Sequence, residues 1–203
     1  MLHFPADNYC AGLARQARPC KRENGIQKVM AVRYPPGTDW EKLTGTLWHA
    51  AQVPVHSLAF HQQDPRVVML PVTSAEARQL GCKIYHIPFD PYKFQDAVLV
   101  GADAGYYGEC NFQIDLDTPH YVKLDRSLLR GLFGKFNPSR GDLVFSRTGE
   151  LLGLMVNNLY CLTIRDVAAA TTIPFNEDLR QRHTGGTLSQ LFSHVFQLPQ
   201  RLQ

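Results

Sequence analysis

The side chains best suited to chemistry lie in one segment, residues 137–154, which reads Asn-Pro-Ser-Arg-Gly-Asp-Leu-Val-Phe-Ser-Arg-Thr-Gly-Glu-Leu-Leu-Gly-Leu. Ser139 offers a hydroxyl that a neighbouring base could activate as a nucleophile for acyl transfer. Arg140 cannot take that role, because a guanidinium stays protonated in proteins and carries no lone pair able to attack a carbonyl. The segment therefore supports hydrolysis only if the hydroxyl of Ser139 is the attacking group.

The same segment predicts a β-hairpin that would position these side chains. A tight loop precedes an apolar run, Thr148-Gly149 supplies a turn, and a second apolar run interrupted by Gly153 follows. Alternating apolar runs joined by a glycine-containing turn are typical of a hairpin.

This hairpin resembles the one that follows the nucleophile in trypsin-like serine peptidases. Those proteins read Gly-Asn-Ser-Gly-Gly-Pro-Leu-Val, then a turn ending in glycine, then an apolar run interrupted by glycine. When the two are anchored on Gly149 and Gly153 without a gap, the resemblance places the family's nucleophilic serine on Arg140 and the following glycine on Gly141. Ser139 stands one position early.

Two weaker patches extend the resemblance to about residues 60–165. Asp64 precedes the aliphatic run up to Val72 and is similar to the family's triad aspartate, which opens such a strand. The stretch 77–85 is similar to the family's approach to its second barrel, where Leu-Gly precedes a strand. The resemblance therefore implies that Asp64 would orient a histidine base.

The expected histidine is missing from its usual setting. Residues 4–48 contain no histidine, whereas the family's base lies tens of residues before the aspartate. His49, followed by two alanines, is the nearest imitation and lies 15 positions before Asp64. His56 and His61 are closer still. The other histidines are scattered and are interpreted as surface or core residues: His3, His86, His120, His183 and His194.

Two functional hypotheses follow. In the first, the chain is a catalytically inactive protein of trypsin-like fold that serves as a binding or scaffold module, and Asp64 is a surface cap or turn residue. It would bind peptide in the cleft between barrels or at a strand edge, through main-chain hydrogen bonds. In the second, it is an active serine endopeptidase that uses Ser139, Asp64 and a histidine such as His49 or His61. An unrelated all-β fold with a similar hairpin stays open as a third interpretation.

Two other motifs receive less weight. The stretch 108–111, Gly-Glu-Cys-Asn, with His120 nearby, is similar to the setting of the cysteine nucleophile in trypsin-like viral enzymes, but the glycine after Cys110 is absent. Residues 140–142 form Arg-Gly-Asp, the integrin-recognition tripeptide, yet Gly141 and Asp142 already have a structural explanation in the loop that enters the strand.

The cysteines and histidines predict neither a metal nor a cofactor. The five cysteines are an odd number without a Cys-x-x-Cys pair, and no His-x-x-x-His spacing occurs. Cys10 and Cys20 could pair in an oxidising compartment. Buried free thiols are predicted for the rest: Cys82, Cys110 and Cys161.

Composition indicates a soluble globular protein, and the resemblance implies a protein or peptide partner. Hydrophobic residues make up 44% and charged residues 19%, and the net charge is only +3. The basic cluster of residues 15–22 has no interleaved aromatics, which argues against nucleic acid. No apolar run is long enough to span a membrane, and the N-terminus lacks the features of a signal peptide. The compartment and the oligomeric state stay open.

Short apolar runs punctuated by glycine and proline predict a mainly β protein. With the resemblance, this gives a trypsin-like double β-barrel with a C-terminal α-helix: one domain, residues 1–203, with a first barrel over about 1–85, a second over 86–180 and a helix over 187–198. Strands are predicted at 29–34, 53–60, 66–72, 82–87, 97–101, 108–114 and 120–124. A short helix over 39–51, capped by Asp39, and a helical turn or loop over 74–80 complete the prediction.

Overall fold

Short β-strands make up most of the regular secondary structure in the computed structural model, which describes residues 39–101, 107–125, 137–165 and 167–203. Its described residues form two compact units. The first contains residues 39–83 and 168–198, and the second contains the rest of the described chain, including residues 199–203 at the C-terminus. A mainly β protein with one helix near its C-terminus is therefore confirmed.

The first unit contains two small sheets and two helices. Strands β1 (Thr46–Trp48) and β2 (Gln52–Pro54) form a hairpin, and strand β3 (Ser57–His61) lies between β4 (Val68–Met69) and β11 (Ala169–Pro174), all antiparallel. Helix α1 (Ser74–Gln79) begins at a capping box between Thr73 and Glu76. Helix α2 (Thr184–Gln197) begins three residues before the predicted Thr187.

The predicted helix over 39–51 is wrong. Trp40 and Leu43 are buried in the first unit's core, but β1 and β2 occupy the second half of the segment. A Cβ on Gly45 would lie 2.8 Å from the ring of Phe175, so the backbone just before β1 packs directly against the core. Asp39 does cap a helix, but not one that follows it in the chain. Its carboxylate accepts a hydrogen bond from the backbone N–H of Gly185, near the start of α2, at 2.8 Å.

The second unit is a closed antiparallel barrel of six strands. In chain order these are β5 (Asp96–Val100), β6 (Tyr107–Ile114), β7 (Tyr121–Asp125), β8 (Leu143–Phe145), β9 (Leu151–Met155) and β10 (Tyr160–Thr163). Around the barrel the order is β5-β6-β7-β10-β9-β8, and β8 closes on β5. Strands β8, β5, β6 and β7 lie side by side as the Greek-key order 4-1-2-3. The inward-facing residues form one apolar core.

The hairpin predicted within residues 137–154 is confirmed as β8 and β9. Gly149 has φ of +94°, a left-handed conformation that glycine adopts without strain and that this turn requires. Gly153 is needed for a different reason. A Cβ there would lie 2.3 Å from Cys161 Sγ and 2.5 Å from the Leu162 carbonyl oxygen, so only glycine lets β9 approach β10 this closely.

Other strand predictions had mixed outcomes. The segments 97–101, 108–114 and 120–124 are strands within a residue or so of their predicted bounds, and 74–80 is helical. The single strand predicted over 53–60 is divided between β2 and β3, and that over 66–72 is reduced to two residues. Residues 82–87 do not form a strand, although the His86 carbonyl accepts one hydrogen bond from Leu151. The strand predicted at 29–34 lies outside the described residues.

Candidate functional site

The loop of residues 137–142, hereafter the Ser139 loop, lies just before β8 and is held by hydrogen bonds between its own residues. Ser139 is exposed, and its hydroxyl donates to Asp142 Oδ1 at 3.1 Å. The Ser139 N–H donates to Asp142 Oδ2 at 2.7 Å, and the Asp142 N–H returns a bond to the Ser139 carbonyl at 3.1 Å. Asp142 is only 1% exposed. The serine hydroxyl thus has a buried carboxylate as its acceptor.

Arg140 and Gly141 fasten the same loop to the end of β9. The Arg140 Nε–H donates to the Val156 carbonyl at 3.0 Å, and the Gly141 N–H donates to the Met155 carbonyl at 2.8 Å. Gly141 has φ of +91°, so the turn at this point favours glycine. Arg140 is otherwise exposed. The side chain of Arg140 is therefore a cation that is held at its Nε end and open to solvent.

Backbone donors for an oxyanion are nearly used up in this loop. Pro138 has no N–H, and the N–H groups of Ser139, Gly141 and Asp142 all donate within the protein. An oxyanion hole needs donors that are preorganised toward the developing negative charge and are not already committed. Among residues 138–142, the N–H of Arg140 is the one backbone donor left uncommitted.

Asp64 lies in the turn between β3 and β4 of the first unit. It is fully buried, not on the surface as the inactive-protein hypothesis expected, and it pairs with Arg66 through two bonds: Nε to Oδ1 at 2.8 Å and Nη2 to Oδ2 at 2.6 Å. The Arg66 N–H also donates to Oδ1, at 3.1 Å. The geometry is that of a buried bidentate ion pair that organises a turn.

His49 lies in the turn between β1 and β2 and is exposed. Its Nδ1 lies 2.7 Å from the Leu80 carbonyl oxygen, which can only accept, so Nδ1 carries the proton. Within the first unit His49 and Asp64 therefore each have a different partner and are not hydrogen-bonded to each other. With the proton on Nδ1, the Nε2 atom of His49 has the lone pair that a general base requires. The group that orients the ring, however, is a backbone carbonyl and not the carboxylate of a triad.

The other two histidines considered as bases are also engaged. His61 is buried at the end of β3, and its Nδ1 lies 3.2 Å from the backbone N–H of Gln63, which donates to it. His56 Nε2 lies 2.8 Å from Glu76 Oε1. The hydrogen bond from the Thr73 backbone N–H, which has the largest effect, and the contact with His56 lower the pKa of Glu76 from 4.5 to about 2.

No protein-family model, no curated protein sequence and no solved structure matches this chain. Its function therefore has to be argued from the geometry of its own residues. In the described part of the chain, no cluster of three or more His, Cys, Asp or Glu side chains could hold a metal ion. Among the same residues, the helices are too short or too polar to cross a bilayer.

The cysteine-nucleophile interpretation fails on burial. Cys110 lies inside β6, 2% exposed, and its thiol donates to the Ala97 carbonyl at 3.6 Å. Burial raises the pKa of Cys110 to about 12, so the reactive thiolate is scarce at neutral pH. Burial also raises the pKa of Cys161 well above its ordinary value. The predicted buried thiols are confirmed for these two barrel thiols and wrong for Cys82, which is exposed.

The Arg-Gly-Asp interpretation also fails, because the aspartate of the tripeptide is buried. A tripeptide recognised through its aspartate must present that carboxylate to a partner. Asp142 is buried and accepts two hydrogen bonds from Ser139. The triplet is a loop-forming sequence in this protein.

Sequence reasoning missed two of the groups that define the site. The first is Asp142, whose signal was its position three residues after Ser139, the spacing at which a serine and a carboxylate can bond across a turn. The second is Arg66, two residues after Asp64. The Val156 carbonyl that holds Arg140 had no signal in the sequence, because only the pairing of β8 with β9 brings it near the loop.

Proposed function

We propose that this chain is a catalytically inactive protein of trypsin-like fold, which binds an extended peptide or protein segment at the Ser139 loop. The observation that carries the proposal is the structure of that loop. A guanidinium stands where the resemblance places the nucleophile, and the neighbouring serine hydroxyl donates to the buried carboxylate of Asp142.

The bonding of Ser139 argues against hydrolysis. A nucleophilic serine needs a base that accepts its proton as the hydroxyl attacks, and a carboxylate is a weaker base than the imidazole that peptidases use. The oxyanion that would form also lacks a set of uncommitted backbone donors, since three of the N–H groups in the turn are already bonded. Binding without turnover is the function left to a loop of this kind.

The barrel supports the fold part of the proposal. The six strands β5 to β10 close into an antiparallel barrel. The proposal takes this barrel as the second of the two that the resemblance implies. The Ser139 loop leads into β8, and β8 pairs with β9 as a hairpin. The resemblance implies the same order, in which a hairpin follows the nucleophile loop. The described part of the first unit contains a three-stranded sheet and a hairpin, and the proposal assigns both to the first barrel.

Labelling with a fluorophosphonate probe tests the loss of activity. These probes form a covalent bond with an activated serine, so the wild-type protein is expected to remain unlabelled beside an active trypsin-like peptidase as positive control. Ser139→Ala and, as a matched control, Ser193→Ala at an exposed serine of α2 are expected to behave like wild type. Labelling that disappears in Ser139→Ala alone would overturn the proposal and establish a serine hydrolase.

A further inference from the structure

Arg140 differs from most arginines of the described chain in having no carboxylate partner there. Five arginines form ion pairs with acidic side chains: Arg66, Arg147, Arg180, Arg182 and Arg201. Arg140 bonds only to the Val156 carbonyl and is exposed. Two other arginines also lack an ion pair among these residues. The guanidinium of Arg165 lies over the ring of Phe89 at 5.9 Å, and the Nε–H of Arg78 donates to the Ser74 carbonyl of its own helix at 3.2 Å.

The Val156 bond leaves a defined part of the Arg140 guanidinium open. Because Nε donates to the protein, the edge formed by the two Nη groups is the one that stays available, with its N–H donors in a planar fork. That fork matches the two oxygens of a carboxylate in a bidentate pair. The Nε bond also restricts the side chain, so a ligand would lose less conformational entropy on ordering it.

The nearest carboxylate in the sequence does not form an ion pair with this cation. Asp142 is buried and receives the N–H and the hydroxyl of Ser139. The Gly141 backbone between them is held to Met155. The loop therefore keeps its positive side chain outside and its negative side chain inside, which is an arrangement that attracts an external anion.

We propose that Arg140 recognises a carboxylate of the bound peptide, supplied either by its C-terminus or by an Asp or Glu side chain. This inference rests on the proposed function, since it identifies the partner of the same loop as a carboxylate-bearing peptide. A cation at the former nucleophile position then acts as a specificity-determining group.

Binding of defined peptide pools tests the inference. Biotinylated random hexapeptides without Asp or Glu are prepared with a free C-terminal carboxylate or a C-terminal amide, and a third amidated pool carries one central Glu. Immobilised on streptavidin sensors, the pools are exposed to the folded protein at low and high salt. We expect at least one acidic pool to bind about tenfold more tightly than the neutral amidated pool, which corresponds to about 1.4 kcal/mol. The acidic pool that binds identifies the source of the carboxylate.

Three variants make the assignment specific to Arg140. Arg140→Gln is expected to bind the acidic and neutral pools equally, and Arg140→Lys to retain only part of the preference, because lysine keeps the charge without the fork. Arg165→Gln removes the same charge from the same unit and is expected to bind like wild type. Thermal unfolding of each variant confirms that the fold is retained.

The outcomes separate this inference from the proposed function. Equal binding of acidic and neutral pools by wild type, or an unchanged preference in Arg140→Gln, would show that Arg140 does not read a carboxylate while the protein still binds peptide. No binding of any pool also overturns the inference. Failure of the proposed function itself would appear elsewhere, as fluorophosphonate labelling that depends on Ser139.

Discussion

Replacing Gly153 by alanine should destabilise the barrel strongly, because two strands touch at that point. An added Cβ would lie 2.3 Å from Cys161 Sγ and 2.5 Å from the Leu162 carbonyl oxygen, and distances under 3.0 Å are essentially never observed for real Cβ atoms. Overpacking of a core costs about 1–3 kcal/mol. Since one of the two atoms is backbone and cannot rotate away, we expect the upper end, about 3 kcal/mol of the free energy of unfolding.

The cost should be measured by circular dichroism during thermal and urea unfolding. For a chain of this length, about 3 kcal/mol corresponds to a fall in Tm of about 6–12 °C. Both tryptophans, Trp40 and Trp48, lie in the first unit, so their fluorescence would not report on the barrel directly. A far-ultraviolet signal covers both units.

Two further variants show whether the clash is the cause. Cys161→Ala removes the sulfur but leaves the Leu162 carbonyl, so the double variant Gly153→Ala with Cys161→Ala should recover part of the loss and not all of it. Gly186→Ala in α2 is the matched control, because nothing lies within 4 Å of its added Cβ. Alanine there should stabilise the helix by about 0.5–1 kcal/mol. A Gly153→Ala protein within about 0.5 kcal/mol of wild type would refute the close approach of β9 and β10.

Three other measurements follow from the buried and charged groups. Arg66→Met leaves the buried carboxylate of Asp64 without its bidentate partner and should cost about 3–5 kcal/mol, whereas a smaller loss by urea unfolding would contradict the ion-pair geometry. The hydrogen bond from Ser146, the largest cause, lowers the pKa of Glu150 from 4.5 to about 2, so its contribution to stability is present above pH 4.5 and lost as the pH falls through about 2. In the Ser146→Ala variant, NMR titration should show the pKa of Glu150 raised toward 4.5. An unchanged Glu150 pKa would exclude the hydrogen bond from Ser146. Thiol labelling mapped by mass spectrometry should modify exposed Cys82 quickly and the two barrel thiols only on unfolding; equal rates in the native protein would contradict their burial.

Local signals in the sequence were enough to predict the barrel hairpin and the C-terminal helix. The hairpin turn is a short segment that requires a left-handed backbone conformation at one residue, and Gly149 supplies it. In the helix, the apolar residues Leu188, Leu191 and Phe192 recur at helical spacing within two turns. Elements of this kind are specified by residues that are neighbours in sequence. Their predicted bounds were therefore close to those in the structure. That Arg140 cannot act as a nucleophile could also be seen without coordinates, because it depends only on the residue type.

Contacts between distant residues decided the rest. Asp39 carries a good cap signal, yet it caps α2, 146 positions away, and the segment after it became a hairpin under the ring of Phe175. The partner of Arg140 is a carbonyl that strand pairing places beside the loop. Residue types and short spacings therefore determined which local elements this chain prefers, whereas only tertiary structure decided which polar groups are buried and what they bond to. The physical reason is that a buried donor or acceptor must find a partner wherever the fold provides one, and that partner has no fixed distance along the sequence.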